Sequence, residues 1–170
     1  MAKTSGGVRT YQQGTSTYRK RQAEVEAMRA SGRYSSVEIG KGGGYVAIEK
    51  SPARHKSEEL EAARILADKG YKVVLKNESG QVRTPDGRIF SASFEQRTPT
   101  KDGANTIRSA LDHARTKRAD VALIYSKGGV FTRQSVEKGI GLYEDGHRYR
   151  FKRIIIVSDN GYIHRYKHNK

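Results

Sequence analysis

Val121-Ala122-Leu123-Ile124-Tyr125 is an unbroken apolar run. A strand wetted on one side alternates apolar with polar residues; one covered on both faces does not, so this run reads as a doubly buried strand. Arg153-Ile154-Ile155-Ile156-Val157-Ser158 repeats the pattern. Parallel neighbours of this kind need helical crossovers. Two are at hand: residues 104–118, with Ile107, Ala110, Leu111 and Ala114 at helical spacing, and a shorter helix over 132–139. Asp159-Asn160-Gly161 then turns the chain into a last hairpin strand over 162–166.

Working towards the N-terminus, residues 71–76, 81–84 and 88–97 read as extended, with Asn77-Glu78-Ser79-Gly80 as a hairpin turn and Thr98-Pro99-Thr100 ending the ladder. These three strands form an antiparallel meander. Before them a helix runs from Ser57, a capping residue, to Lys69, and stops at Gly70. Glu58, Glu59 and Glu61 open it, where the helix dipole favours acids. The expected fold class is therefore α/β, a mixed β-sheet flanked by helices, over residues 55–170. Residues 1–54 read as a basic N-terminal arm, partly disordered, with one helix over 16–30. Gly40-Lys41-Gly42-Gly43-Gly44 reads there as a linker or mobile loop, and Tyr45-Val46-Ala47-Ile48 as a short strand. The glycine run lacks the Lys-Ser/Thr of a phosphate-binding loop.

Charge narrows the function. The chain has 170 residues, 33 Lys+Arg against 18 Asp+Glu, a net charge of +15 and no cysteine. Disulfide scaffolds and thiolate metal sites are excluded. No apolar run approaches the roughly 18 residues of a membrane span, and Met1-Ala2-Lys3 is not followed by a signal-peptide core. Such an excess calls for an acidic partner, nucleic acid first. It is unevenly placed: residues 1–56 carry +7, residues 57–100 carry zero, and residues 101–170 carry +8. Carboxylates gathered between two basic flanks suit an enzyme acting on a phosphodiester better than a protein that only coats one.

Several residues stand out in that neutral middle. On a helical wheel Glu59 lies in line with Ala63 and Leu66, on the apolar stripe. It reads either as a dipole cap or as a carboxylate aimed into a cleft, where burial requires a partner or a metal. Along 88–97, Phe90, Ala92 and Phe94 alternate with Ser91, Ser93, Glu95 and Arg97, so the second face ends in a carboxylate beside a guanidinium. Thr84-Pro85-Asp86-Gly87 precedes it and is also a good turn sequence. Thr98, Thr100, Asn105 and Arg108 follow as candidate contacts to phosphate or ribose, Asn105 and Arg108 at a helix start that suits an anion. His113 reads as a surface or packed histidine, and His55, between Arg54 and Lys56, as a residue within reach of RNA.

A helix Glu, a Pro-Asp and a Glu-x-basic in this order resemble the PD-(D/E)-x-K nuclease superfamily. The resemblance implies a restriction-endonuclease-like core. It implies that Glu59, Asp86 and Glu95 hold Mg2+ or another divalent cation, a hard ion that takes oxygen ligands and polarises a phosphate. Arg97 stands where that pattern has Lys; it stays protonated, so its role would be to stabilise transition-state charge. Residues 57–166 look more narrowly like the tRNase domain at the C-terminus of contact-dependent growth inhibition toxins. The likeness is carried by Ser57-Glu58-Glu59, Thr84-Pro85-Asp86-Gly87, Phe94-Glu95, Thr98-Pro99-Thr100, Asn105-Thr106-Ile107-Arg108 and Ala119-Asp120-Val121. Similar domains occur on polymorphic toxins and on phage-type head proteins of mobile elements. That likeness implies cleavage of tRNA, an immunity protein as partner, and action in the cytoplasm after delivery from another cell or a mobile element. Two other functions fit the same residues: a metal-independent ribonuclease using the basic, Tyr and His residues of the C-terminal third, and a non-catalytic nucleic-acid-binding protein of a phage or mobile element.

Overall fold

The structure is a computed structural model that describes residues 3–4, 7–50, 55–76, 84–128 and 131–168. In chain order its elements are β1 (Lys3–Thr4), α1 (Ser16–Ala30), β2 (Tyr34–Ile39), β3 (Tyr45–Glu49), α2 (Ser57–Asp68), β4 (Lys72–Leu75), β5 (Gly87–Ile89), β6 (Ala92–Arg97), α3 (Ala104–Thr116), β7 (Val121–Ser126), α4 (Arg133–Gly146), β8 (Arg153–Ser158) and β9 (Ile163–Lys167). They fall into two compact units, Val8–Ser91 and Ala92–Lys170 with Met1–Gly7. Both are α/β with mixed strand pairing, as expected.

In the unit Val8–Ser91 the strand order is β5-β4-β3-β2. β3 and β4 run parallel, with Ala47 opposite Val74, and α2 is the crossover between them. β2 and β5 pair antiparallel on the outer sides of β3 and β4. Thr15 caps α1 by accepting from the Tyr18 amide at 3.2 Å. Val25 on that helix packs with Val37, Tyr45, Ala47 and Val74. The residues expected as an arm thus include a hairpin, β2–β3, whose second strand is laddered to β4. Within residues 1–15, part of the arm expected to be partly disordered, the Tyr11 amide donates to Gly42 O at 2.8 Å and Lys3–Thr4 pair with β9.

The glycine run is not a linker. It is the β2–β3 turn, buried from Gly42 to Gly44 and fastened to the end of α2. The Gly44 amide donates to Ala67 O at 3.1 Å, the Tyr45 amide to Tyr71 O at 3.0 Å and the Lys41 amide to Asp68 Oδ1 at 2.9 Å. A Cβ on Gly44 would strike the carbonyl oxygens of Ala67 and Tyr71. Absence of a side chain serves close approach here, the second use of glycine beside conformational freedom.

The expected strand 88–97 is broken. Phe90 adopts φ 54°, a left-handed conformation rare for a bulky residue, and ends β5 in a turn. Its ring is 42% exposed and tilted against Tyr71 at 5.9 Å, rather than in the core with Phe94. Of the expected strand 81–84, residues 81–83 lie outside the described residues, as does the turn at 77–80, and Thr84 is not in a strand.

In the other unit the order is β1-β9-β8-β7-β6. β6, β7 and β8 are parallel, crossed over by α3 and α4; β9 returns antiparallel along β8. Every residue of β7 is buried, as its apolar run requires. α4 extends to Gly146, about two turns beyond the expected 132–139, because Ile140 and Tyr143 continue its buried face. Ile107, Leu111 and Ala114 of α3 and Val136, Ile140 and Tyr143 of α4 close over Ala122, Ile124, Ile154 and Ile156.

Candidate functional site

Glu95 lies on β6 between Phe94 and Gln96 and is 4% exposed. A buried carboxylate is costly unless hydrogen-bonded or paired, and the next element meets that need. α3 buries Ile107, Ala110, Leu111 and Ala114, which turns residues 113 and 117, one helical turn apart, to one side. His113 Nε2 lies 3.0 Å from Glu95 Oε2, and Lys117 Nζ lies 3.9 Å from the same oxygen. The side chains of His113 and Lys117 are 37% and 22% exposed, so the pair rises from a buried acid towards the surface. The base of the cluster is tied down by a reciprocal bond: the Ser93 amide donates to Asp120 Oδ2 at 3.2 Å, and the Asp120 amide to Ser93 Oγ at 2.9 Å.

A carboxylate on one ring nitrogen fixes the orientation of an imidazole, leaving Nδ1 for a second partner. A cation beside the same carboxylate adds a point charge suited to a phosphate. Together the three groups can accept a proton and stabilise developing negative charge. Sequence reasoning singled out Glu95 but passed over Lys117 and read His113 as unremarkable. The available signal was their spacing of four on the helix that follows the site strand.

The remaining predicted residues are placed as follows. Asp86 is buried, at 7% exposure, just ahead of β5, and its carbonyl accepts from the Lys76 amide at 2.9 Å. Glu59 caps α2 by accepting from the Lys56 amide at 3.3 Å. The N-cap is Lys56, one residue before the expected Ser57. Glu59 Oε2 also meets His55 Nδ1 at 3.0 Å, and His55 Nε2 is buried with no hydrogen-bond partner among the described residues. Arg97 is at the exposed end of β6. Gln96 Nε2 donates to Thr98 Oγ1 at 3.3 Å. Thr100 and Asn105 are exposed, and Arg108 is half-buried on α3. The N-cap of α3 is Gly103, two residues before Asn105.

The metal site implied for Glu59, Asp86 and Glu95 has the right donor chemistry, hard carboxylate oxygens. Among the described residues, however, no three His, Asp or Glu side chains gather into a group that could hold a metal ion.

The fold has a solved counterpart. One chain of the CdiA-CT/CdiI toxin and immunity complex from Burkholderia pseudomallei superposes with a TM-score of 0.54 at 19% identity, covering 71% of this chain and 98% of that one. At that identity the likeness is one of fold. No protein-family model and no curated protein matches the chain. Among the described residues no helix is long and apolar enough to cross a membrane.

Proposed function

We propose that this chain is a toxin domain that cleaves RNA, tRNA foremost, with the buried Glu95 and its partners His113 and Lys117 as the reactive centre. The observation that carries the reading is the gathering of acid, imidazole and ammonium on β6 and α3, in a chain of charge +15. The likeness to a chain of a toxin and immunity complex supports the toxin assignment and an immunity protein as partner. Delivery from another cell or a mobile element into a cytoplasm that holds tRNA follows from the same reading.

In the route these residues serve, His113 Nδ1 takes the proton of a ribose 2′-hydroxyl. The 2′-oxygen then bonds to phosphorus, the bond from phosphorus to the 5′-oxygen breaks, and the departing oxygen takes a proton from solvent. Products are a 2′,3′-cyclic phosphate and a 5′-hydroxyl. Lys117 stabilises the extra charge of the five-coordinate phosphorus. Glu95 holds both in place. A second reading, magnesium-dependent hydrolysis with Glu59, Asp86 and Glu95 as ligands and Arg97 as the charge-stabilising group, is favoured by the burial of Asp86 and Glu95.

Incubation of the purified protein with total tRNA tests the reading. Cleavage that persists in EDTA and leaves cyclic phosphate ends supports the first route. Cleavage abolished by EDTA and restored by magnesium supports the second. RNA that is bound but never cut contradicts both and leaves a non-catalytic nucleic-acid-binding protein.

A further inference from the structure

Beside the acid–base cluster, the end of α3 borders a groove of about 480 Å³ lined by Arg115, Thr116, Arg118, Arg148 and Tyr149. We propose that this groove seats an RNA backbone phosphate next to the one that is cut. The inference rests on the RNA-cleavage reading for its substrate, and names where that substrate is held.

Three observations converge on it. First, the lining carries three guanidinium groups and no carboxylate. Arg115 is partly matched, with Nε and Nη2 at 2.9 and 2.7 Å from Asp112 Oδ1. Asp112 is itself shared with His147 at 3.2 Å. Among the described residues, Arg118 and Arg148 have no ion pair, and both are exposed. A helix C-terminus attracts cations by its dipole, which is the simplest account of Arg115 and Arg118. That dipole amounts to about half a negative charge, so even with Asp112 set against Arg115 it leaves much of the charge of Arg118 and Arg148 for a ligand.

Second, Arg118 sits at φ 52° in the position after the helix where glycine is usual. The Arg118 amide donates to Arg115 O and the Ala119 amide to Ala114 O, so the turn is a regular helix stop. An arginine there costs backbone strain that glycine avoids. The opposite wall is held rigid: Tyr149 Oη donates to Ala119 O at 2.7 Å, and Tyr143 Oη to Tyr149 O at 2.8 Å.

Third, groove and cluster share one stretch of helix. Residues 113 and 117 turn towards Glu95, while 115, 116 and 118 line the groove. Thr116 Oγ1, which donates to His113 O at 2.6 Å, bridges the two sets. Planar guanidinium groups in pairs suit phosphate oxygens better than lysine does. A strand with one phosphate over Glu95 and His113 would present a neighbouring one to Arg118 and Arg148.

The test uses the full chain carrying Glu95→Gln, so that tRNA stays intact during binding titrations over a range of salt. Arg118→Ala with Arg148→Ala should weaken tRNA binding about tenfold or more and lower the salt slope by about 1.4–1.8. Arg9→Ala with Lys20→Ala, two exposed cations remote in sequence from the groove, supplies a charge-matched control. Equal losses in the two pairs, or no loss in the groove pair, overturn the inference. Arg118→Gly relieves the backbone strain, so Tm should hold or rise while binding falls. A fall in Tm with unchanged binding would make Arg118 purely structural and overturn it too. With Glu95 restored, the groove pair should raise KM about tenfold with kcat nearly unchanged. If the wild-type protein cuts no RNA yet the groove variants lose binding, the cleavage reading fails and the groove stands.

Discussion

Gly139→Ala and Gly141→Ala lie two residues apart on α4 and should move stability in opposite directions. Helix propensity favours both changes by about 1 kcal/mol. Packing separates them. A Cβ on Gly139 would lie 2.7 Å from Ala104 O and 2.7 Å from Ile107 Cγ2, and closer still to Ile107 Cβ. Ordinary carbon contacts are about 3.5–4.0 Å, so α3 and α4 would have to part by roughly 1 Å. Ala104 O is backbone and cannot swing away. Overpacking of this kind costs about 1–3 kcal/mol, and a backbone obstacle argues for the upper end. The net loss is then about 2 kcal/mol, or roughly 4–8 °C in Tm for a chain of this size. Gly141 has nothing within 4 Å of its added Cβ, so alanine there should raise Tm by about 2–4 °C. Thermal unfolding followed by circular dichroism reads both. Because α3 carries His113 and Lys117, Gly139→Ala should also depress RNA cleavage below the unfolding temperature, while Gly141→Ala leaves it intact. A Gly139→Ala protein at or above wild-type Tm would refute the close crossing of the two helices.

Lys117→Met should cut the rate of RNA cleavage by about 10²–10³-fold, the usual cost of losing a charge-stabilising donor. Arg97→Met should cost less than about tenfold, and the reverse ranking would return the basic role to the strand. Stability should fall on acidification because His168 is buried against Phe151 and Glu144, and burial holds its pKa below the ordinary 6.5 despite the Glu144 hydrogen bond. The unfolded chain therefore binds the extra proton first. This stabilisation is complete above about pH 6.5 and is lost as pH falls from there towards the folded-state pKa. His168→Phe should flatten that limb of the unfolding profile; an unchanged slope would assign it to other groups.

The parts legible in the sequence were those where composition and period agree. All-apolar 121–125 and 153–158 mark parallel strands β7 and β8, and the spacing of Ile107, Ala110, Leu111 and Ala114 marks α3. The glycine run 40–44 misled because a mobile loop and a tight backbone crossing use the same residue. Only the carbonyls of Ala67 and Tyr71, more than twenty residues away, distinguish them. Phe90 misled because alternation placed it in the core, whereas the chain turns there at a φ that bulky residues seldom adopt. At the site, Glu95 was legible as a polar residue amid a strand pattern. Its partners were not, because a motif read along one strand points to Arg97, two residues on, and the observed contacts come from a helix eighteen and twenty-two residues on. Glu59 was read as cap or site residue; the cap is observed, with His55 as an added neighbour.

The central claim is that Glu95 organises RNA cleavage. Its most direct test compares wild type with Glu95→Gln, a change that keeps shape and removes charge, on purified tRNA after circular dichroism has shown both proteins folded. The account predicts discrete tRNA fragments from wild type and a loss of at least about 10²-fold in the variant. Equal cleavage by the two folded proteins, or intact tRNA with both, would contradict it.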